Sequence, residues 1–228
     1  MSAVRGQPIA DLFLLTWASG VLDALSFLRA HVFTANMTGN TVILGLALAK
    51  PVGPRAYDSA LAIAAFAAGV LVAAVVLVRL GKPSAKKDLR AGTSLELPFV
   101  ILFTVVWVAS SGSGGSWIEA GLIVSGACAL GVQSVAARRL KISGAVTTFI
   151  TGTITTAIVS FLERNETGAR VEKEAKSSPL FLAAMVFVYI AAAAAGAALS
   201  SALKPLAPLA ALAAVLAVWL RSLASSNS

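Results

Sequence analysis

Five hydrogen-bonding side chains crowd the opening of one apolar stretch. In "VFTANMTGNTVILGLALA" (Val32 to Ala49), Thr34, Asn36, Thr38, Asn40 and Thr41 surround Gly39. Groups of this kind, gathered where a hydrophobic segment begins, either line a polar loop or face something polar inside a membrane. Glycine lets another backbone or a ligand approach closely and permits a break in a helix. The residues beyond the break then read as a short helix with Asn40 as its N-cap. The N-terminus of such a half-helix carries partial positive charge and free N–H groups, which favour an anion or an electron-rich polar group. The expected chemistry is therefore binding of a small polar or weakly anionic solute by Thr34, Asn36, Thr38, Gly39 and Asn40.

A second stretch, "ISGAVTTFITGTITTAIVSFL", echoes the first. A shift of 113 residues places Thr34 on Thr147, Thr38 on Thr151 and Gly39 on Gly152, while Gly20-Val21 falls on Gly131-Val132 with a two-residue gap. Thr148 adds a further hydroxyl, and Thr153 is the matching cap. Thr147, Thr148, Thr151 and Gly152 are accordingly the second half of the expected binding site. The alternative is packing, because small and hydroxylated residues also let membrane helices approach one another.

Asp23 lies well inside the first apolar run, and an ionisable group within a span marks function by default. It is expected to couple transport to protons or sodium; the alternatives are a paired structural carboxylate, or a span that ends early and leaves Asp23 among the headgroups. Asp11 falls near the end of the same run, and Gln133 is a weaker candidate for the same cavity. The sole cysteine, Cys128, sits in an apolar run and reads as a buried small hydrophobe.

These residues need a membrane frame. Charged residues make up 12% of the chain, hydrophobic ones 58%, and the mean hydropathy is +0.87, where soluble domains carry about 25% charged residues. Runs long enough to cross a bilayer occupy 9–28, 59–80, 94–110, 118–137 and 179–203, with a shorter one at 206–220. Nearly the whole chain is used, so 1–228 reads as one membrane domain with no separate soluble part. The first run is too long and too acidic for a cleavable signal and reads as a retained span. The net charge of +8 reflects loops that fix orientation rather than nucleic-acid binding.

Lysine and arginine placement decides whether the two threonine-glycine segments cross. If both cross, 8 of the 18 basic residues lie on one side and 10 on the other, which is no bias. If both enter and leave on the same side, only Arg29, Lys50, Arg55 and Lys204 share a face and the other 14 lie opposite. The positive-inside rule selects the second arrangement. The expected fold is thus an all-α integral membrane protein of six transmembrane helices plus two re-entrant half-helices. Three spans per half make the halves, 9–110 and 118–221, an inverted repeat of the kind that builds transporter sites near the midplane. Both termini face the cytoplasm.

The run Asp23–Phe27 and the phrase Phe33-Thr34-Ala35-Asn36-Met37-Thr38-Gly39-Asn40 resemble the signature of the YoaK family of bacterial multi-pass membrane proteins, a family of unknown function. The resemblance implies about six spans in a bacterial inner membrane and supplies no substrate. The functional expectation is a small secondary transporter or facilitator, with a channel or a non-transporting assembly protein as the alternatives. The bilayer and a small-molecule solute are its expected partners, without nucleic acid or cofactor, and a homodimer suits a chain of this size. Enzyme chemistry is not expected: the sole histidine, His31, sits at a segment edge, and no nucleophile–base pair or metal-ligand spacing appears.

Overall fold

A computed structural model describes residues 9–50, 56–81, 84–110, 115–140, 152–156, 158–159 and 178–224. The main helices are α1 (Ile9–Ala30), α2 (Met37–Ala49), α3 (Ala56–Arg79), α4 (Ala85–Ala109), α5 (Ser116–Arg139), α6 (Pro179–Ala202) and α7 (Leu209–Ala224), with a short 3₁₀ turn at Lys204–Leu206. Among the described residues, six helices are long and apolar enough to span a bilayer. The protein is an all-helical, multi-pass membrane protein. With 13 residues, α2 measures about 20 Å, short of the ~30 Å hydrocarbon core.

Side-chain ties at the helix ends give each span its direction. At one end of the bundle, Arg221 at the close of α7 pairs with Asp11 at the start of α1, Nε to Oδ1 at 2.8 Å. At that same end Arg139, closing α5, donates Nε to Asp88 Oδ1 of α4 at 3.0 Å and Nη2 to the Gly81 carbonyl just past α3 at 2.9 Å. At the opposite end Arg29, closing α1, donates to the Ser110 carbonyl past α4 at 3.1 Å, and Trp107 of α4 donates to the Lys204 carbonyl past α6 at 2.7 Å. Thus α1, α4 and α6 run one way and α3, α5 and α7 return. The chain leaves α1 and enters α3 at one end of the bundle; it leaves α5 and enters α6 at the other.

The two most enclosed spans, α5 and α1, pack against each other at the centre. The helix after each of them crosses over: α3 lies against α5 and α6 against α1. The crossings match residue for residue. A Cβ at Gly20 would meet the Tyr189 carbonyl, Ala192 and the Ala193 nitrogen, while one at Gly131 would meet the Phe66 carbonyl, Gly69 and the Val70 nitrogen. A single shift of 123 residues relates these partners, and the same shift superposes Ala56–Arg79 on Pro179–Ala202. Small residues let the backbones touch here, as membrane interfaces without a hydrophobic driving force require. The core between the helices is closed by Leu22, Leu25, Val100, Phe103, Leu122, Leu130 and Val215.

Boundaries differ from the sequence expectation chiefly at α4, which starts at Ala85 rather than near residue 94. Its first turns carry Lys87, Asp88 and Arg90, so hydropathy alone starts the segment late. Asp88 is buried there and accepts from the Ser84 nitrogen at 2.8 Å as well as from Arg139.

Candidate functional site

The phrase that stood out in the sequence forms a node at depth in the bundle. After α1 ends at Ala30, His31 takes a left-handed backbone (φ 57°) and the chain turns back alongside α1. Asp23, two helical turns before the end of α1, receives it. Its Oδ1 accepts from the Thr34 nitrogen at 2.7 Å, the Thr34 hydroxyl at 2.8 Å and the Ala35 nitrogen at 2.8 Å. Its Oδ2 accepts from the Tyr189 hydroxyl of α6. Asp23 and Thr34 are both buried. Thr34 also packs on α5, where a Cβ at Gly126 would come within 2.6 Å of its methyl group and 3.2 Å of the Phe103 ring. One carboxylate therefore ties the turned-back loop to α1 and α6 together.

Asn40 makes the second tie. Its Oδ1 accepts from the Phe33 nitrogen at 2.8 Å and its Nδ2 donates to the Phe33 carbonyl at 2.6 Å, which satisfies a backbone unit with no helical partner. Phe33 stacks on Phe27 of α1 with ring centroids 4.7 Å apart. Two details of the expected half-helix are corrected. The N-cap of α2 is Asn36, whose side chain accepts from the Gly39 nitrogen at 3.1 Å; Asn40 lies inside the helix. Gly39 does not break the helix either. It sits in the first turn, where a Cβ would come 3.0 Å from the Asn36 amide and 3.1 Å from the Phe33 ring.

The expected site residues thus divide. Asp23, Thr34 and Asn40 come together, buried and bonded; Asn36 and Thr38 are exposed at the start of α2. Thr41 is exposed too, its hydroxyl donating to the Met37 carbonyl at 2.9 Å. In the second segment Thr147, Thr148 and Thr151 lie outside the described residues. Gly152 and Thr153 are already helical, so neither is the cap, and Thr153 is buried. Ser134, the counterpart of Asp23, donates to the Leu130 carbonyl at 2.7 Å, and Phe66 stands where the other half has Tyr189. The Asp23–Tyr189 pair is a polar device in one half alone.

Elsewhere, Gln133 joins the central helices: Nε2 donates to the Ser19 hydroxyl at 2.7 Å and the Leu15 carbonyl at 3.2 Å. Cys128 is buried and its thiol donates to the Ala65 carbonyl at 3.2 Å. Among the described residues, no three His, Cys, Asp or Glu side chains gather as metal ligands would. Sequence reasoning passed over Glu96, which is buried in mid-α4. The signal was available, since Glu96 is an acid four residues before the run "VILFTVVWVA", but placing the span's start near it made it look superficial.

Comparison with known proteins agrees with this architecture. A multi-pass helical membrane protein, with six helices long enough to span among the described residues and one shorter apolar helix, is the class that the fold defines. Residues 12–220 match the model of a family described as proteins of unknown function, DUF1275, and the chain belongs to that family. It is similar to the UPF0700 transmembrane protein YoaK of Bacillus subtilis (strain 168), with 31% identity over 149 residues, which is 63% of this chain and 62% of the relative's length. No solved structure matches.

Proposed function

We propose that the protein is a small secondary transporter or facilitator for a small polar or weakly anionic solute, built from inverted halves, 9–110 and 118–221. It lies in a bacterial inner membrane with the end holding Arg79, Lys87, Arg90, Arg138, Arg139 and Arg221 in the cytoplasm, along with both termini. The observation that carries this reading is the crossing of α3 and α6 onto the opposite half, related by one constant shift. Paired, oppositely directed repeats that meet at a central interface can rock against each other and open a midplane site to either side. The turned-back loop and α2 are the re-entrant element of the first half. The start of α2 presents Asn36 and Thr38 as groups not consumed by the Asp23 node, and the segment holding Thr147, Thr148, Thr151 and Gly152 supplies the opposing element.

Assembly without transport is the rival, and one observation favours it: α2 packs on α3 and leaves Val42, Leu46 and Leu48 exposed, a face that lipid or a second copy would cover. Two measurements separate the readings. Single cysteines at 50–58 and at 164–176, in a Cys128→Ala background, are expected to react with an impermeant thiol reagent from opposite sides of the membrane. Liposomes holding the protein are expected to swell severalfold faster than empty ones in at least one of iso-osmotic urea, formamide, glycerol, ammonium acetate or ammonium nitrate. Labelling from one side alone removes the inverted halves, and swelling at the empty-liposome rate in every solute removes transport.

A further inference from the structure

Glu96 is the one carboxylate in the interior of the spans without a visible reason to be there. It occupies the middle of α4, is 1% exposed, and its Oε1 has no hydrogen-bond partner among the described residues. Asp23, by contrast, accepts four hydrogen bonds, and Asp11 and Asp88 are paired with arginines. An ionised carboxylate without a partner in an apolar interior is very costly, so the form this place can hold is the neutral acid.

Packing sets what surrounds it. Across the antiparallel pair α4 and α5, Gly92 meets Ala136 and Phe103 meets Gly126, which brings Glu96 level with Gln133. Gln133 reaches Leu15 and Ser19 of α1 at that level. Towards α7, Ser94 of α4 accepts from Trp219 Nε1 at 3.0 Å, and Trp107 of α4 donates to the Lys204 carbonyl in the turn before α7, so Glu96 comes level with residues 216–217, beside the buried Val215 and Val218. The charged and titratable groups on the surrounding helices stand away from this level. On α1 they are Asp11, held by Arg221, Asp23, held by its loop, and Arg29 at the far end, bonded to the Ser110 carbonyl. On α5 they are Cys128, turned to Ala65, and Glu119, Arg138 and Arg139 towards the ends. Arg221 is that of α7, and Tyr57, Asp58 and Arg79 lie at the ends of α3. Lys87, Asp88 and Arg90 lie in the first turns of α4 itself. Two residues beyond Glu96, Pro98 lies inside the helix, where its missing N–H removes a backbone bond and weakens the helix around the acid.

We propose that Glu96 is a proton-exchange site at the centre of the bundle. It holds a proton in the closed arrangement seen here. When α4 and α5 part at Gln133, its O–H bond breaks heterolytically, the proton passes to an entering water or to a basic group of the solute, and the electron pair stays on the carboxylate. The entering water solvates the ion until a proton returns from the other side, while the Gln133 amide keeps its bonds to Ser19 and Leu15. This rests on the transport reading for its purpose, and it assigns the coupling role to Glu96 rather than Asp23.

Infrared spectroscopy of the full chain in lipid tests it without knowledge of the solute. Glutamate side-chain isotope labelling separates glutamic from aspartic acid, and the wild-type chain answers even if a variant fails to fold. The expected result is a carbonyl band of a protonated glutamic acid that shifts in heavy water, fades reversibly as pH rises, and is lost in Glu96→Gln while persisting in Asp23→Asn. A band that ignores both pH and heavy water overturns the proposal, because the acid is then a sealed structural group. So does a titrating band that survives Glu96→Gln, or no protonated glutamic acid at all. Liposome swelling is read separately, so a titrating Glu96 in a chain that moves no solute refutes transport and leaves proton exchange standing.

Discussion

Alanine at Gly20 or at Gly131 will lower the thermal stability of the chain in detergent, by similar amounts, while alanine at Gly45 will not. The Gly20 methyl would lie 2.6 Å from the Tyr189 carbonyl oxygen and 2.9 Å from Ala192. At Gly131 it would lie 3.0 Å from the Val70 nitrogen, 3.2 Å from the Gly69 Cα and nearer still to the Phe66 carbonyl. Backbone atoms dominate both sets of neighbours, so neither clash can be relieved by turning a side chain; the crossing helices must separate. Overpacking of this sort costs about 1–3 kcal/mol. Nothing lies within 4 Å of a Cβ at Gly45, and alanine in an open helical position gains up to about 1 kcal/mol over glycine. Unfolding midpoints of the three variants read this directly. A loss at Gly131 with no change at Gly20 would mean that α6 does not cross onto α1 as α3 crosses onto α5, and the matched halves would have to be given up.

Much of this architecture is written in the sequence because the bilayer reads it so coarsely. Six apolar runs announce six spans, and among the described residues six helices are long and apolar enough to cross. The phrase Thr34–Asn40 is visibly special too, yet which asparagine caps α2 is not legible in it, since a side chain's type does not say which partner claims it. Asn40 could cap a helix or bind a backbone unit; the stacking of Phe33 on Phe27 fixes the second. Tyr189 was beyond reach: it lies 166 residues from Asp23 in a run of alanines, and only the crossing of α6 onto α1 brings the two together. Glu96 was hidden for a different reason. Hydropathy starts α4 where the charges stop, whereas the helix itself starts at Ala85 and carries Glu96 to the middle of the span.

Asp23→Ala will unhook the loop and cost on the order of 3 kcal/mol or more, because it strips four donors of their acceptor and each one left bare in the interior costs about 1–3 kcal/mol. Asp23→Asn keeps an oxygen for Thr34 and Ala35, but it sets an N–H group against Tyr189, whose hydroxyl must turn from donor to acceptor. The expected loss is about 1–2 kcal/mol, and Tyr189→Phe, which removes the same bond from the other side, should cost a similar amount. Since the two changes share one hydrogen bond, the double variant is expected to lose less than the sum. Stability alone cannot tell a clamp from a coupling group, so, on the proposed transport reading, the decisive comparison sets it beside the pH dependence of flux. For a clamp, Asp23→Asn and Tyr189→Phe lower the unfolding midpoint and slow transport at every pH alike, and the pH dependence moves only with Glu96→Gln. For a coupling group, Asp23→Asn leaves the midpoint nearly in place and abolishes the pH dependence. The first outcome is the one expected, because a carboxylate that already accepts four hydrogen bonds must break the loop, the α6 contact or both before it can give or take a proton.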